Sequence, residues 1–260
     1  MFSMKERTVL ITGATGHLGF AMARSLGEAG AHILVNSRSE ERAQRSANEL
    51  IDAGLSAEPA IFDVTDGDAI DLFFRGFSDR KLNAIINNSY AGAAGTIELS
   101  EPQPYIDSYN AMVVAAHNIL RGALPGLRKA AAEDGDAAIV NIASMYGLVG
   151  PDISLYEPKE GANPPFYGAA KAALLQWTRY AAIEFGAENI RVNSISPGPF
   201  PSEGVQQEQP NLVRKLAGKV PMGRIGRLEE ICGPVLFLSS SASSFVNGAN
   251  IVVDGGWTAW

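Results

Sequence analysis

The chain has 260 residues, 46% of them hydrophobic, and a formal net charge of −7. That length and apolar content suit a large α/β domain with a sizeable core, and no apolar run reaches the roughly 18 residues of a membrane span. The acidic balance excludes a nucleic-acid footprint, which needs clustered Lys and Arg; the longest basic grouping, Arg121 to Lys129, holds only three cations and reads as a solvated helix face.

The amino terminus, MFSMKERTVLITG, passes from a short charged lead straight into an apolar run with no signal-peptide h-region, so a cytoplasmic protein without a membrane partner is expected. Short β-branched, apolar strands are expected at Thr8 to Thr12, His32 to Asn36, Glu58 to Asp63, Leu82 to Asn87, Ala138 to Ala143, Ile190 to Ser196 and Ala249 to Val253. Helical periodicity fills the intervals at His17 to Ala29, Glu40 to Ala53, Asp66 to Phe77, Pro104 to Ala130, Tyr167 to Phe185 and Leu228 to Ser239. Alternating strands and helices predict a doubly wound, Rossmann-like α/β fold: a parallel sheet of about seven strands with helices on both faces. No linker or repeat divides residues 1–260, which are expected to form a single domain. Two long proline-bearing loops, Gly147 to Pro165 and Pro197 to Val220, interrupt the alternation. Both follow strands, so both are expected at the carboxyl edge of the sheet, where open α/β folds bind ligands.

TGATGHLG, Thr12 to Gly19, joins the first strand to the first helix. In that setting Gly13 can take the tight turn, Gly16 lets backbone approach a pyrophosphate, and Gly19 lets the helix pack closely, while helix N–H groups face the phosphates. The alternatives are a structural turn or another phosphate ligand. The second strand ends in VNSRSEER, with Arg38 where an acidic residue would select the ribose hydroxyl of NAD. A cation there favours the 2′-phosphate of NADP, unless Arg38 simply faces solvent beside Glu40 and Glu41. YGAAK, Tyr167 to Lys171, sets a phenol and an ammonium at i and i+4 on one helix face. A Lys⁺ beside a Tyr is expected to lower the phenol's pKa and fit it for proton exchange with a carbonyl or alcohol oxygen. Ser144, in NIAS at the end of a strand, is expected at the same sheet edge; a turn cap is its alternative role. Cys232, the one cysteine, lies in the apolar stretch EEICGPVLFL and reads as a small buried hydrophobe, while His17, His32 and His117 are scattered, so no metal site is expected.

In that order TGATGHLG, DVTD (Asp63 to Asp66), NNSYAG (Asn87 to Gly92), Asn110 in SYNAMVV, NIASMYG, YGAAK, RVNSISPG (Arg191 to Gly198) and NGANIVVDGGW (Asn247 to Trp257) resemble the short-chain dehydrogenases/reductases along nearly the whole chain. The resemblance implies a catalytic tetrad of Asn110, Ser144, Tyr167 and Lys171: Tyr167 as general acid/base, Ser144 holding the substrate oxygen, Lys171 on the nicotinamide ribose and Asn110 organising a water. It implies NADP, with NAD as the alternative, held by Gly13, Thr15, Gly16, His17, Leu18, Gly19, Ser37, Arg38, Asp63, Val64, Asn88, Tyr167, Lys171, Pro197 and Gly198. The implied activity is hydride transfer between nicotinamide and a carbonyl or secondary alcohol, and the implied assembly a homodimer or homotetramer, with slight preference for Trp257 and Trp260 burying against a partner.

Three features depart from the family's common pattern. His17 stands where TGxxxGxG would have glycine, NNAG is stretched to NNSYAG so that Ser89 and Tyr90 alter the cofactor wall, and Ser144 and Tyr167 stand 23 positions apart, a longer spacing than usual. The inserted loop offers Asp152, Tyr156, Glu157, Lys159, Glu160 and Asn163, and the second loop Gln206, Gln207, Gln209, Asn211, Arg214 and Lys215. A polar set of this kind points to a small hydroxylated or sugar-like substrate, unless both loops are solvated surface or subunit contacts. A 3-oxoacyl thioester reductase is the competing enzyme, and an NADP-binding redox sensor without turnover the competing class.

Overall fold

Strands buried on both faces need no alternation of polar and apolar residues, and seven such runs build the sheet. They are β1 (Thr8–Ile11), β2 (His32–Ser37), β3 (Ser56–Ile61), β4 (Ala84–Asn87), β5 (Ala137–Ile142), β6 (Ile190–Pro197) and β7 (Asn250–Val253), all parallel, in the order β3-β2-β1-β4-β5-β6-β7. The structure, a computed structural model, describes residues 2–77, 79–90 and 94–259. Successive residues of a strand point to opposite faces, so Leu10 joins a cluster with Phe74, Ile119 and Leu127, while Val9 and Ile11 join another with Met22, Leu26 and Val235. Helices α1 (His17–Glu28) and α2 (Glu40–Asp52) cover one face with α9 (Glu229–Ser239). On the other lie α3 (Gly67–Arg75), α5 (Ala115–Asp134) and α6 (Pro165–Phe185).

Four expectations about the elements shift. The third strand starts two residues earlier, at Ser56, and ends at Ile61. The long helix expected from Pro104 to Ala130 is α4 (Pro102–Tyr109) and α5 joined by a π-helical turn, Asn110–Val114. The loop Pro197 to Val220 contains two helices, α7 (Glu203–Glu208) and α8 (Pro210–Lys219). The inserted loop winds through short 3₁₀ turns at Ile153–Leu155 and Lys159–Gly161.

The reversal of strand order between β1 and β4 opens a crevice at the carboxyl edge, where the turn after β1 meets the segments after β4, β5 and β6. At the amino edge a paired network closes the sheet: Asp136 binds Arg7 at 2.7 Å and Arg191 at 2.9 Å, and Arg191 also donates to the carbonyls of Leu238 and Ser240. Among the described residues, no helix is long and apolar enough to cross a membrane.

Candidate active site

The turn after β1 is built around a close approach. Gly13 has φ +60°, and a Cβ on Gly19 would press into the Gly13 carbonyl and lie 2.9 Å from Asn88 Nδ2, so the first turn of α1 fits only because position 19 is glycine. Gly16 caps α1 without a side chain, leaving the first-turn N–H groups directed toward the cleft, and His17 is the first helical residue. The next segment is fixed to this turn. Thr12 Oγ1 accepts the N–H of Asn88 at 2.9 Å and of Ser89 at 3.1 Å, and Asn88 Nδ2 donates to the Thr12 carbonyl at 3.1 Å.

On the other side of the crevice, Ser144 lies two residues past β5 and caps a 3₁₀ turn, accepting the Tyr146 N–H at 3.1 Å. A Cβ on Gly168 would lie 2.7 Å from the Tyr146 carbonyl, so glycine lets this turn cross α6 next to Tyr167. Pro164 caps α6 and Pro165 takes its first position, which puts Tyr167 in the first turn, with Lys171 one turn further in. A chain of amides holds α6 to the sheet: Asn87 Nδ2 donates to Asn141 Oδ1, and Asn141 Nδ2 to Thr178 Oγ1, each at 2.8 Å.

These segments enclose a cleft of about 890 Å³. All fifteen positions expected to touch a dinucleotide line it, as does Ser144. Asn110 is half-buried and opens the π-turn, but it is Ala111, not Asn110, that reaches the cleft wall. Arg42, Thr65, Phe200 and Ser202 line the cleft without having been singled out from sequence, and of these Arg42 carries a signal, a second cation on the first turn of α2 beside Arg38. Ala91 and Gly92 of NNSYAG and the terminal Trp260 lie outside the described residues.

The titrating groups behave differently from the simple expectation. Burial pushes the Tyr167 phenol up to about 12; the Ser144 hydroxyl pulls the other way, and Tyr90 adds to the rise. The expected depression by Lys171 is not found in the protein alone. Its ammonium, fully enclosed, is itself pushed down to about 7 by burial; Nζ donates to the Ile142 carbonyl at 2.5 Å and stands 5.5 Å from the Tyr167 ring centre. At the far end, burial raises Asp63, but the Thr65 N–H and hydroxyl and the Arg38 guanidinium, 3.9 Å away, outweigh it and hold the carboxyl below its ordinary value.

The residues fit a phosphorylated dinucleotide. A buried ammonium with one carbonyl partner has donors left for hydroxyls of a ribose. An uncapped helix start beside crowded glycines suits a pyrophosphate, and β2 ends on Ser37 with Arg38 and Arg42 beyond it, cations rather than a carboxylate. Among the described residues no three His, Cys, Asp or Glu side chains gather to hold a metal ion. Half-buried Cys232 has Sγ 3.5 Å from the Ala21 and Leu228 carbonyls.

The inserted loop corrects another expectation. Glu157 binds Lys215 at 2.7 Å and Asp152 binds Lys219 at 2.6 Å, so these carboxylates tie the insertion to α8 instead of standing ready for a hydroxylated ligand. The Lys219 ammonium and the Ser154 donors hold Asp152 down to about 2. Beneath these pairs Tyr146, Leu155, Leu216, Val220 and Trp257 pack together, with Tyr156 and Tyr167 against them. Trp257 is thus buried in the chain's own core. Between insertion and α8 lies a recess of about 610 Å³ whose lining includes Asn211, Arg214 and Lys215.

A family model described as enoyl-(acyl carrier protein) reductase matches residues 13–258. Cis-4-hydroxycyclohexanecarboxylate dehydrogenase from Sinomonas cyclohexanicum is 36% identical over 98% of this chain and 97% of its own length. Gluconate 5-dehydrogenase from Gluconobacter oxydans is 31% identical over 99% of this chain and 97% of its own. Among solved structures, a gluconate 5-dehydrogenase from Burkholderia cenocepacia in complex with NADP and tartrate superposes with a TM-score of 0.88 at 28% identity, covering 100% of this chain and 98% of that one.

Proposed function

The chain belongs to the short-chain dehydrogenase/reductase family, and we propose that it is an NADP-preferring enzyme interconverting a secondary alcohol and a ketone on a small polar substrate. The observation that carries this reading is the meeting of Ser144, Tyr167 and buried Lys171 at one end of a cleft whose other end has an uncapped helix start and Arg38. NADP, when bound, supplies the site that accepts or donates hydride. Arg38, with Arg42 beside it, neutralises the 2′-phosphate, while the first-turn N–H groups of α1 face the pyrophosphate and His17 lies close to it. Lys171 donates to the nicotinamide ribose while anchored on Ile142. Ser144 donates to the substrate oxygen, and Tyr167 gives that oxygen a proton in reduction or takes it in oxidation. Asn110, at the π-turn, organises a water behind Lys171.

The two relatives named above act on compounds that join a secondary alcohol to a carboxylate. Arg214, which donates to Asn211 at 3.2 Å and has no carboxylate partner among the described residues, lines the recess beside the insertion and suits such an anion. The single sheet supports one domain over residues 1–260, and the lack of a membrane-spanning helix among the described residues is compatible with work in the cytoplasm. Exposed Ile106 and Tyr109 on α4 and Tyr180 and Ile183 on α6 support a homodimer or homotetramer, which sedimentation measures directly.

Nicotinamide absorbance with NADP or NADPH tests the activity against alicyclic hydroxy acids, aldonates, their ketones and a short 3-oxoacyl thioester. Turnover on the hydroxy or keto acids is expected. Faster turnover on the thioester, or none on the panel by protein that binds NADPH, overturns the reading.

A further inference from the structure

The stretched motif NNSYAG delivers a side chain that the family roles leave without a task. Its backbone is tied to the turn after β1: the N–H groups of Asn88 and Ser89 both donate to Thr12 Oγ1, and Ser89 Cα lies 3.5 Å from where a Cβ on Gly13 would stand. Tyr90, next in the chain, therefore leaves a fixed point. Its ring lies 4.9 Å from the Tyr167 ring, inclined at 81°, edge against face, and lines the same cleft.

Resting on the reading of Tyr167 as the proton-transfer group, we propose that Tyr90 is its positioning residue: the ring seals one side of the phenol from water, holds its orientation and forms the wall against which the carbinol carbon of the substrate lies. An edge-to-face pair of this separation is a favourable aromatic geometry. Met112, Val113, Ala116, Ala170 and Leu174 form an apolar cluster against which Tyr167 packs. Ser144 and Tyr146 approach it from the turn after β5, Lys171 from one turn along α6, and Tyr156 of the insertion is bound to Tyr146, hydroxyl to hydroxyl, at 3.2 Å. Lys171 is the cation among these groups, and it is bound to Ile142. Tyr90 is 49% exposed, so its ring covers the phenol without belonging to the core, and truncation leaves the fold intact. Burial is the main cause that raises the Tyr167 phenol, and charge repulsion from the Tyr90 phenol adds to it.

The test compares wild type with Tyr90→Phe, Tyr90→Leu and Tyr90→Ala in two measurements. The first needs no substrate: NMR of tyrosine labelled at the ring carbon bearing oxygen, with Tyr167 assigned by its absence in Tyr167→Phe. The onset of Tyr167 titration is expected to fall by about half a pH unit or more in Tyr90→Ala, from water entry and loss of a neighbouring phenol, and by less in Tyr90→Phe, which loses the phenol but keeps the ring that excludes water. The second is the pH profile of kcat/KM for alcohol oxidation, with NADP affinity measured alongside. Tyr90→Ala is expected to lose about three- to tenfold in kcat/KM at unchanged NADP affinity and to shift the rising limb to lower pH, with Tyr90→Phe restoring most of both and Tyr90→Leu intermediate. An unmoved titration in Tyr90→Ala overturns the proposal whatever the enzyme's substrate, and so does a Tyr90→Phe variant as impaired as Tyr90→Ala. Wild-type silence on every alcohol, with the titration shift present, would instead count against the proposed substrate class alone.

Discussion

Lys171→Met is expected to inactivate the enzyme and make the protein more stable. The lysine is completely enclosed and burial moves it from 10.5 to about 7. Because the folded pKa lies below the unfolded one, unfolding takes up a proton between about pH 7 and pH 10.5, and the stability of the wild type rises with pH across that window. At pH 7 the displacement corresponds to about 4 kcal/mol against the folded state, at about 1.4 kcal/mol per unit. Methionine removes that cost and fills a similar volume, but leaves the Ile142 carbonyl without its 2.5 Å donor, a loss of about 1–3 kcal/mol. The net gain at pH 7 is then about 2 kcal/mol, a rise in Tm of roughly 4–8 °C. The stronger test is the slope: the carbonyl loss is the same at every pH, whereas the charge cost fades, so the stability difference should shift by about 3 kcal/mol from pH 7 to pH 10, from about 2 kcal/mol in favour of Lys171→Met to about 1 kcal/mol in favour of the wild type. Thermal melts followed by circular dichroism over that range read it directly. Parallel curves for the two proteins would refute the picture of a lysine held against its preference.

Gly19→Ala places a methyl against the Gly13 carbonyl and 2.9 Å from Asn88 Nδ2. It should cost about 1–3 kcal/mol in a denaturant melt and at least about tenfold in NADPH affinity by fluorescence titration. Arg38→Glu, at an exposed side chain whose loss disturbs no packing, should weaken NADP by about tenfold or more in calorimetry and leave NAD nearly unchanged. Asp152→Asn with Glu157→Gln cuts both ties between insertion and α8. As exposed pairs they should leave the melting temperature nearly unchanged, while KM rises as the loop loses its anchor. Arg214→Gln should raise KM about tenfold for a carboxylate-bearing substrate and leave a neutral alicyclic alcohol unaffected in steady-state assays.

Local chemistry made much of the site readable. Glycines where backbones cross, a phenol and an ammonium one helical turn apart, and a cation after the second strand are signals carried by neighbouring residues, and the fold brings them to one edge. The misreadings share a different cause. β3 is an edge strand with exposed residues, so the apolar Phe62 just beyond it drew the expected strand two residues late. Pro210 lies in a stretch whose other prolines mark a loop, yet proline also starts helices well, and α8 begins on it. The π-turn at Asn110 has no marker in its own residues. The pairs Glu157–Lys215 and Asp152–Lys219 join residues 58 and 67 positions apart, and nothing local distinguishes a carboxylate used this way from one awaiting substrate.

The two edges of the sheet divide the work physically. At the amino edge Asp136 is shared between Arg7 and Arg191, and the remaining Arg191 donors reach backbone carbonyls and the Ser243 hydroxyl. At the carboxyl edge the same sheet carries a lysine displaced downward, a phenol displaced upward and a helix start without a cap. An apolar side chain would relieve the lysine or the phenol and a capping side chain the helix start, so none of the three is explained by folding. All three face one cleft, and each is suited to a partner of matching chemistry: hydroxyls for the ammonium, a substrate oxygen for the phenol, phosphate for the helix start. With Asp152 and Glu157 already neutralised by α8, the recess next to Tyr156 keeps the charge of Arg214. On the proposed reading that guanidinium favours a carbinol carrying a carboxylate over a neutral one, and the Arg214→Gln comparison of the two substrate kinds separates this role from a solvated surface charge.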